Sequence, residues 1–420
     1  MFQIRAVIPI IVLASLAAFL LVSIAVQWDE NDRAEQSRQL EYLDCVPLAS
    51  FGDVETIDGP GEILSINGTD YVRLTDVGTL SVRTLTGSAT YSIGPAHLKL
   101  LLISGQSNAV FFTSPSYFTA EGFIAPGKAF FFGTETSDNE TRGGAATPET
   151  VGTSEILDLV APDGRMRMSQ MYPEICRTWL SESGGRILVL NTGIGGQAIK
   201  EWDIPTGRCS AWMTTAVDYL KKAAEEDGRI VVEPLAVLWS QGESDYSRTE
   251  EYYAERFETL VDNFRTGAWG YSFPTVLTSL PRSPNVDGII APALAQISVS
   301  EEDEDVLIAT SLPLHFTSEQ TRDGIHYTQE AYGWIGEAFG RSLAEISGLT
   351  QAKETIVLTE SLGTVAELPE TVTAWGTSGA AYELAASWTE SEGVWTAELS
   401  GEPIGTRIMQ GLTATATLEE

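Results

Sequence analysis

Apolar runs that end abruptly in glycine and polar residues recur through the middle of this chain. A short, continuous apolar run with turn residues behind it is typical of a strand that is buried on both faces of a parallel sheet. Five such strands are predicted, at residues 100–104, 187–191, 235–240, 274–279 and 305–310.

Between these strands, apolar positions recur with the period of a helix that buries one face. Helices are predicted at residues 171–183, 211–226, 249–265 and 329–346. Strands that alternate with helices favour an α/β fold with a parallel, doubly wound sheet. The long connection over residues 111–170 is predicted as a loop that shapes access to the active face of the sheet.

The two ends of the chain have a different pattern, in which glycine and threonine separate short alternating runs. Residues 51–93 predict a small β unit, and the polar residues 28–43 predict a short, helix-permissive stalk. From residue 355 onward the pattern is again all-β. Its runs at residues 363–373, 384–388 and 393–401 resemble a bacterial Ig-like repeat, which implies a spacer or a surface-binding module.

The start of the chain is predicted to be an export signal. Residues 7–27 are apolar apart from two serines and a glutamine, and a helix of this length can cross a bilayer core of ~30 Å. An arginine precedes the run and three acidic residues follow it, which places the bulk of the chain outside the cytoplasm. Cleavable signal peptides have an apolar core of about 7–15 residues, so a signal anchor is favoured over a cleaved signal peptide.

The acidic composition argues against one class of partner. The 25 basic and 58 acidic residues give a net charge of −33, which repels the phosphate backbone of nucleic acids. No residues have the spacing of a zinc site and no glycine-rich phosphate loop follows a strand, so no metal or cofactor is predicted. Cys176 and Cys209 could pair and leave Cys45 free, and the sequence does not decide this.

Polar residues stand where the predicted strands end. Ser107 follows the first core strand in the string Gly105-Gln-Ser-Asn108. Ligands of open α/β sheets bind beyond the carboxyl ends of the strands, where the N–H groups of a starting helix face negative charge. Ser107 is therefore a candidate nucleophile, and the alternative is a serine that only caps a helix.

A serine nucleophile needs a base, which is usually a histidine held in one tautomer by a carboxylate. Asp323 and His326 lie three residues apart, so the carboxylate can reach the ring. The other two histidines, His97 and His315, have no carboxylate at comparable spacing. The residues therefore predict a triad of Ser107, Asp323 and His326.

Acyl transfer also needs hydrogen-bond donors for the oxyanion that forms on the substrate. The candidates are the backbone N–H of Ser107, the N–H of Gly195 or Gly196, and the side-chain amide of Gln241.

At these residues the chain resembles the SGNH-hydrolase superfamily, in its sialate O-acetylesterase-like, carbohydrate acetylesterase branch. The resemblance covers about residues 98–343 and rests on four strings in chain order: Gly105-Gln-Ser-Asn108, Gly195-Gly-Gln-Ala-Ile-Lys-Glu-Trp202, Trp239-Ser-Gln-Gly-Glu-Ser-Asp245 and Asp323-Gly-Ile-His326. It implies a flavodoxin-like, three-layer α/β/α fold, hydrolysis of short acyl esters on sugars, and the triad and oxyanion hole named above. Many superfamily members have Asp at the position of Gln106 and Asn at the position of Gln241. The glutamines at both positions are typical of the carbohydrate acetylesterase branch.

Several polar side chains beside these strings have two interpretations. Glu243 and Asp245 could orient His326 or contact a sugar hydroxyl, but such carboxylates more often tie loops together. Gln106 and Asn108 are candidates for support of the site or for contact with the substrate.

The tryptophans also have two interpretations, because an indole ring can stack on a sugar or pack in a core. Trp202, at the end of the glycine loop, is a better candidate for a sugar platform than Trp239. Trp388 and Trp395 are expected to pack in the core of the C-terminal module.

Together these motifs predict a serine esterase, a carbohydrate O-acetylesterase that acts on an acetylated glycan. The alternatives are a non-catalytic glycan-binding protein and an acyltransferase on the same fold. The expected partners are the membrane, through the N-terminal helix, and a cell-surface polysaccharide, through the Ig-like module. The predicted domains are an export segment, a stalk with a small β unit, the SGNH esterase domain and the Ig-like β domain, at residues 1–28, 29–95, 96–348 and 352–420.

Overall fold

The computed structural model describes residues 39–110, 124–134, 145–168, 170–286, 288–349 and 353–418. The chain divides after Ala96 into two units, which are described separately. Within the described ranges no helix is long and apolar enough to cross a membrane. The predicted export segment, residues 1–28, lies outside these ranges.

The first unit is built from short strands: β1 (Gln39–Glu41), β2 (Cys45–Pro47), β3 (Val54–Asp58), β4 (Gly61–Ile66), β5 (Thr69–Leu74), β6 (Gly78–Thr84) and β7 (Gly87–Gly94). They form a sheet in the order β1-β7-β6-β3 and a second sheet in the order β2-β5-β4. The predicted small β unit is therefore present. The stalk prediction is wrong at residues 39–41, because they pair in parallel with β7 and Leu40 packs on the core of the unit.

From residue 96 onward, strands alternate with helices: β8 (Ala96–Gly105), β9 (Ala129–Gly133), β10 (Glu155–Asp158), α1 (Tyr172–Ser183), β11 (Arg186–Asn191), α2 (Arg208–Asp227), β12 (Ile230–Ser240), α3 (Glu250–Thr266), β13 (Val276–Ser279), α4 (Ala291–Glu302), β14 (Val306–Thr310) and α5 (Gln329–Ile346). They build a seven-stranded sheet in the order β10-β9-β11-β8-β12-β13-β14. The five predicted strands lie in the order β11-β8-β12-β13-β14, which is the flavodoxin-like order. The α/β fold class is confirmed.

The core strands are apolar because both of their faces are covered. Every residue of β11 is buried, and so is every residue of β8 from Leu100 onward. Helix α5 packs closely on α1, since a Cβ at Gly340 would lie 2.6 Å from the Thr178 Cβ. This contact fixes the helix that follows Asp323 and His326.

Two parts of the middle region differ from the prediction. The segment predicted as a loop contains β9, which is buried throughout, and β10, which pairs with it in antiparallel fashion. Helix α4 was not predicted, because its apolar residues do not gather on one face and Pro292 stands in its first turn.

The C-terminal domain is all-β, as expected: β15 (Glu354–Thr359), β16 (Thr364–Val365), β17 (Thr371–Gly376), β18 (Ala381–Ser391), β19 (Val394–Ser400), β20 (Thr406–Ile408) and β21 (Thr413–Leu418). The strands lie in the order β16-β21-β19-β18-β17-β15-β20. Their core includes Ile356, Val372 and Leu384, and Trp388 packs against it.

Cys45, Cys176 and Cys209 are buried, and no disulfide joins them. Cys176 and Cys209 therefore form no disulfide with each other in this structure. Burial raises the pKa of both thiols to about 12, so they are protonated and unreactive at neutral pH.

Candidate active site

Ser107 lies at the carboxyl end of β8, in a 3-10 turn formed by Ser107–Ala109. Gly105 has a φ of +133°, and a Cβ there would overlap the Ser240 carbonyl oxygen. Without a side chain at this position, β8 can approach the end of β12, and the Gln106 N–H donates to the Ser240 carbonyl at 2.9 Å. The first N–H groups of a helical turn have no partner inside it, so the Ser107 N–H is suited to donate to a ligand.

Asp323 and His326 meet in the loop between β14 and α5. The Asp323 Oδ2 lies 2.6 Å from the His326 Nδ1. Its Oδ1 accepts from the N–H groups of Ile325, at 3.0 Å, and His326, at 2.8 Å. A carboxylate on Nδ1 directs the other ring nitrogen, Nε2, outward as a proton acceptor.

The Asp323 carboxyl is held in its ionised form. Its partial burial would raise its pKa, but hydrogen bonds from the His326 N–H, the His326 ring and the Ile325 N–H together lower the pKa to about 2. The Asp323 side chain is 55% exposed, whereas that of His326 is 23% exposed. The pair therefore lies at the surface, with its carboxylate negative at neutral pH.

Asn108 connects the Ser107 turn to the Asp323–His326 loop. Its Nδ2 donates to the Glu243 Oε1 at 2.6 Å and to the Ile325 carbonyl at 3.4 Å. Its Oδ1 accepts from the Tyr332 hydroxyl at 2.8 Å. The neighbour of Ser107 is thus bonded to the neighbour of His326, so the Ser107 turn lies beside the Asp323–His326 loop.

The loop after β11 brings Gly195 and Gly196 to the same strand ends. The Asn191 Nδ2 donates to the Ala109 carbonyl at 2.7 Å, and the Ile194 N–H donates to the Gly105 carbonyl at 3.0 Å. Gly196 has a φ of +69°, in the left-handed region that favours glycine. Gly195 therefore follows directly on a residue that contacts the end of β8, and Gly196 is the next residue in the chain.

Gln241 is fully buried, and its amide is used inside the protein. Its Nε2 donates to the Asp245 Oδ2 at 2.6 Å and to the Gln197 carbonyl at 3.0 Å, while its Oε1 accepts from the Tyr253 hydroxyl at 2.7 Å. Both N–H groups thus have protein acceptors. In this arrangement Gln241 holds the strand ends together, and the predicted donation to an oxyanion would require it to change partners.

The other polar residues after β12 also join loops. The Asp245 Oδ2 accepts from the Ile199 N–H at 2.7 Å, and the Gln106 Oε1 accepts from the Ser244 N–H at 3.0 Å. Burial raises the pKa of Glu243 and of Asp245. Within the described parts of the chain, the Glu243 Oε2 has no hydrogen-bond partner. These contacts are those of structural acceptors.

Of the two interpretations of Trp202, the structure shows packing and not a sugar platform. The residue is 2% exposed, and its Nε1 donates to the Ser104 Oγ at 3.1 Å. Its ring packs edge-on against Trp239, with 4.9 Å between the ring centroids. Both rings belong to the core because the chain after the glycine loop turns inward under the strand ends.

Sequence reasoning missed three buried residues that complete the hydrogen bonds of the site. They are Tyr253 on α3, Gln296 on α4 and Tyr332 on α5. The Gln296 Nε2 donates to the Gln241 carbonyl at 2.9 Å and to the Tyr253 hydroxyl at 3.1 Å. A glutamine in an otherwise apolar stretch was the one available signal, since the tyrosines resemble ordinary core positions.

The described residues contain no group of three or more His, Cys, Asp or Glu that could hold a metal ion.

Comparison with known proteins gave one family match. Residues 172–345 match the family model described as carbohydrate esterase, sialic acid-specific acetylesterase (SASA). The matched segment contains the glycine loop, the residues after β12 and the Asp323–His326 loop. No curated protein matched the sequence at the threshold used.

Three solved structures are similar at low identity. NanS is 14% identical, with a TM-score of 0.41 and coverage of 61% of this chain and 99% of that chain. A carbohydrate acetylesterase from Xanthomonas citri is 12% identical, with a TM-score of 0.39 and coverage of 83% and 86%. A protein from Arabidopsis thaliana is 18% identical, with a TM-score of 0.42 and coverage of 60% and 98%.

Proposed function

We propose that the protein hydrolyses O-acetyl esters on sugars with a Ser107-His326-Asp323 triad. The match of residues 172–345 to the family model of sialic acid-specific acetylesterases supports this activity. Ser107 is the nucleophile, His326 is the general base and acid, and Asp323 orients His326. The observation that carries this proposal is the 2.6 Å contact between the Asp323 Oδ2 and the His326 Nδ1.

In the first half of the reaction, the His326 Nε2 accepts the Ser107 hydroxyl proton while the Ser107 Oγ attacks the acetyl carbonyl carbon. The carbonyl oxygen becomes an oxyanion, which accepts hydrogen bonds from the Ser107 N–H and from the N–H of Gly195 or Gly196. When this intermediate collapses, the ester C–O bond breaks and the sugar oxygen takes the proton from His326. The products are the free sugar hydroxyl and an acetylated Ser107.

In the second half, His326 removes a proton from water, and the water oxygen attacks the acetyl-serine carbonyl. Collapse releases acetate and returns the proton to the Ser107 Oγ. Asp323 remains ionised throughout, because its pKa is about 2, and it stabilises the positive imidazolium that forms twice per cycle.

Asp323 is favoured over Glu243 as the carboxylate that orients His326. Burial raises the pKa of Glu243, and its Oε1 already accepts from Asn108. A carboxylate that stabilises an imidazolium must be negative, and burial opposes that state. We therefore assign Glu243 to the support of Asn108.

The enzyme is proposed to face outward from the membrane, held by residues 7–27. The long apolar run with an arginine before it and acidic residues after it supports this placement. Fractionation of expressing cells, with sequencing of the amino terminus, tests it. A mature protein that begins near Trp28 in the medium would contradict the anchor.

Release of acetate tests the proposed activity. The purified protein is incubated with p-nitrophenyl acetate and then with O-acetylated sialic acid, acetylated xylan and acetylated peptidoglycan, beside Ser107→Ala as control. We expect acetate from at least one acetylated glycan and none above background from the variant. Binding of a glycan without release of acetate would contradict the proposal, as would transfer of the acetyl group to a second sugar in preference to water.

A further inference from the structure

The loop that carries Asp323 and His326 starts at a contact with the C-terminal β domain. This catalytic loop comprises residues 311–328, between the end of β14 and the start of α5. Just before it, the Thr310 Oγ1 donates to the Thr377 carbonyl at 2.7 Å. At its first residue, the Ser311 N–H donates to the Ser378 carbonyl at 2.8 Å. The turn between β17 and β18 thus fixes the point where the loop leaves the sheet.

The same turn approaches the catalytic loop as closely as a glycine allows. Gly379 has a φ of +90°, and a Cβ there would overlap the Ser311 Oγ and lie 2.7 Å from the Leu312 nitrogen. Beside this contact, the His315 ring stacks on Trp375 of β17, with 4.6 Å between centroids and an angle of 21° between the planes. The start of the loop is therefore packed against β17 and its turn.

The helix at the other end of the catalytic loop is also bonded to the C-terminal domain. The Glu337 Oε1 on α5 accepts from the Thr355 N–H at 3.1 Å and from the Thr355 hydroxyl at 2.6 Å. Glu354 lies 3.5 Å from the Arg341 guanidinium and accepts from the Ser378 N–H at 2.6 Å. Glu354 thus joins the attachment point on α5 to the β17–β18 turn. The residue is 5% exposed, so both contacts are shielded from water.

Packed rings extend the contact to the reacting groups. Phe316 directly follows the 3-10 turn Leu312–His315, whose first residue lies against Gly379. Its ring packs edge-on against Tyr327, with 5.1 Å between centroids. Tyr327 is the residue after His326. Tyr332, which contacts Tyr327 at 5.3 Å, donates to Asn108 beside Ser107. A shift of residues 311–316 would therefore move His326 relative to Ser107.

We propose that the C-terminal β domain is a positioning element of the active site, which holds the catalytic loop so that His326 reaches Ser107. The inference rests on the proposed function, because it concerns the placement of that triad. It assigns the domain a role that a spacer or a surface-binding module would not have. A misplacement of about 1 Å in a catalytic group can lower turnover by about 100-fold.

A matched pair of glycine variants tests the proposal in the full chain. Gly379→Ala introduces a methyl group against Ser311 and Leu312. Gly393→Ala, in the β18–β19 turn of the same domain, has a similar φ of +79°, and no described atom lies within 4 Å of its Cβ. We expect kcat for p-nitrophenyl acetate to fall about 10- to 100-fold in Gly379→Ala, with KM changed less than about twofold. Gly393→Ala should keep the wild-type kcat.

A second pair keeps the test decisive if Gly379→Ala does not fold. Thr310→Val removes the bond to the Thr377 carbonyl, together with the bond that the Thr310 Oγ1 accepts from the Leu312 N–H at 3.0 Å, without changing the size of the side chain. Thr359→Val removes an exposed hydroxyl that donates to the Thr413 carbonyl at 3.2 Å within the domain. Thr310→Val should lower kcat several-fold, and Thr359→Val should not. Equal kcat values within both folded pairs, or within the threonine pair if Gly379→Ala is unfolded, would overturn the inference.

Hydrogen exchange separates this inference from the proposed function. Peptides that cover residues 317–328 should exchange faster in Gly379→Ala than in Gly393→Ala, whatever the enzyme's activity. If Ser107→Ala keeps the wild-type rate, the proposed triad fails, yet faster exchange would still support the positioning contact. If Ser107→Ala is inactive and both glycine variants match the wild type in kcat and exchange, the inference alone fails.

Discussion

Two carboxylates of the candidate site, Asp323 beside His326 and Glu243 beside Asn108, occupy opposite environments. Asp323 is half-exposed and accepts hydrogen bonds from the His326 ring and from two backbone N–H groups, which lower its pKa to about 2. Glu243 is buried beside Asn108, and burial raises its pKa. The surface position costs Asp323 little desolvation, so it can remain negative and stabilise an imidazolium. The buried position suits Glu243 to hold a neighbour in place.

The largest expected effect comes from the loss of Ser107 or His326. Ser107→Ala and His326→Ala should each lower turnover by ~10⁴ or more, because each removes an indispensable part of the activated nucleophile. Steady-state rates on p-nitrophenyl acetate measure this, and circular dichroism checks that the variants are folded. More than a tenth of the wild-type rate in either folded variant would refute the assignment.

Paired amide variants test whether Asp323 or Glu243 is the carboxylate that orients His326. Asp323→Asn should lower kcat by ~10²–10⁴ and leave measurable activity, because the neutral amide no longer stabilises the imidazolium. Glu243→Gln should lower kcat by less than about tenfold, since its carbonyl can still accept from Asn108. If Glu243→Gln is the more damaging change in a folded enzyme, Glu243 is the partner of the histidine.

Gln241→Ala sharpens the distinction between support and chemistry. Removal of its amide leaves the buried Asp245 and the buried Tyr253 each with one hydrogen-bond partner fewer, so we expect a loss of about 1–3 kcal/mol in the free energy of unfolding. Chemical denaturation measures this loss. An unchanged stability with a fall in kcat of ~10² or more would instead indicate an oxyanion donor.

The smallest expected effect is on the pH dependence of stability. A carboxyl whose pKa is lowered by folding contributes stability above its unfolded pKa of about 4, and that contribution is lost as the pH falls toward the folded pKa. The folded value for Asp323 is about 2, so the window is about pH 4 to 2. The urea midpoint of the wild type should fall more than that of Asp323→Asn between pH 5 and pH 3. Parallel curves would contradict the lowered pKa.

The sequence predicted the central sheet and four of its helices because their apolar residues repeat with a clear period. It missed α4, whose apolar residues are not confined to one face, and β9, whose aromatic run stands in a segment rich in threonine and glycine. A strand end suggested Ser107, since ligands of such sheets bind there. The three-residue spacing of a carboxylate and a histidine suggested Asp323 and His326.

Side-chain orientation and contacts between distant segments could not be predicted. The position of Trp202 at the end of a glycine loop gave no sign that its ring turns inward to Trp239. The amide of Gln241 was expected to face the substrate, but its Nε2 donates a hydrogen bond to Asp245, four residues later. The contact of Gly379 with Ser311 joins residues far apart in the chain, so no local pattern contains it.

Labelling of the nucleophile tests the central claim most directly. The wild type and His326→Ala are treated with a fluorophosphonate, which phosphonylates a serine only when a base activates it, and the modified peptide is identified by mass spectrometry. The triad predicts one label, on Ser107, in the wild type and at least ~100-fold slower labelling in His326→Ala. A label on another serine, or equal labelling rates in the two proteins, would contradict it.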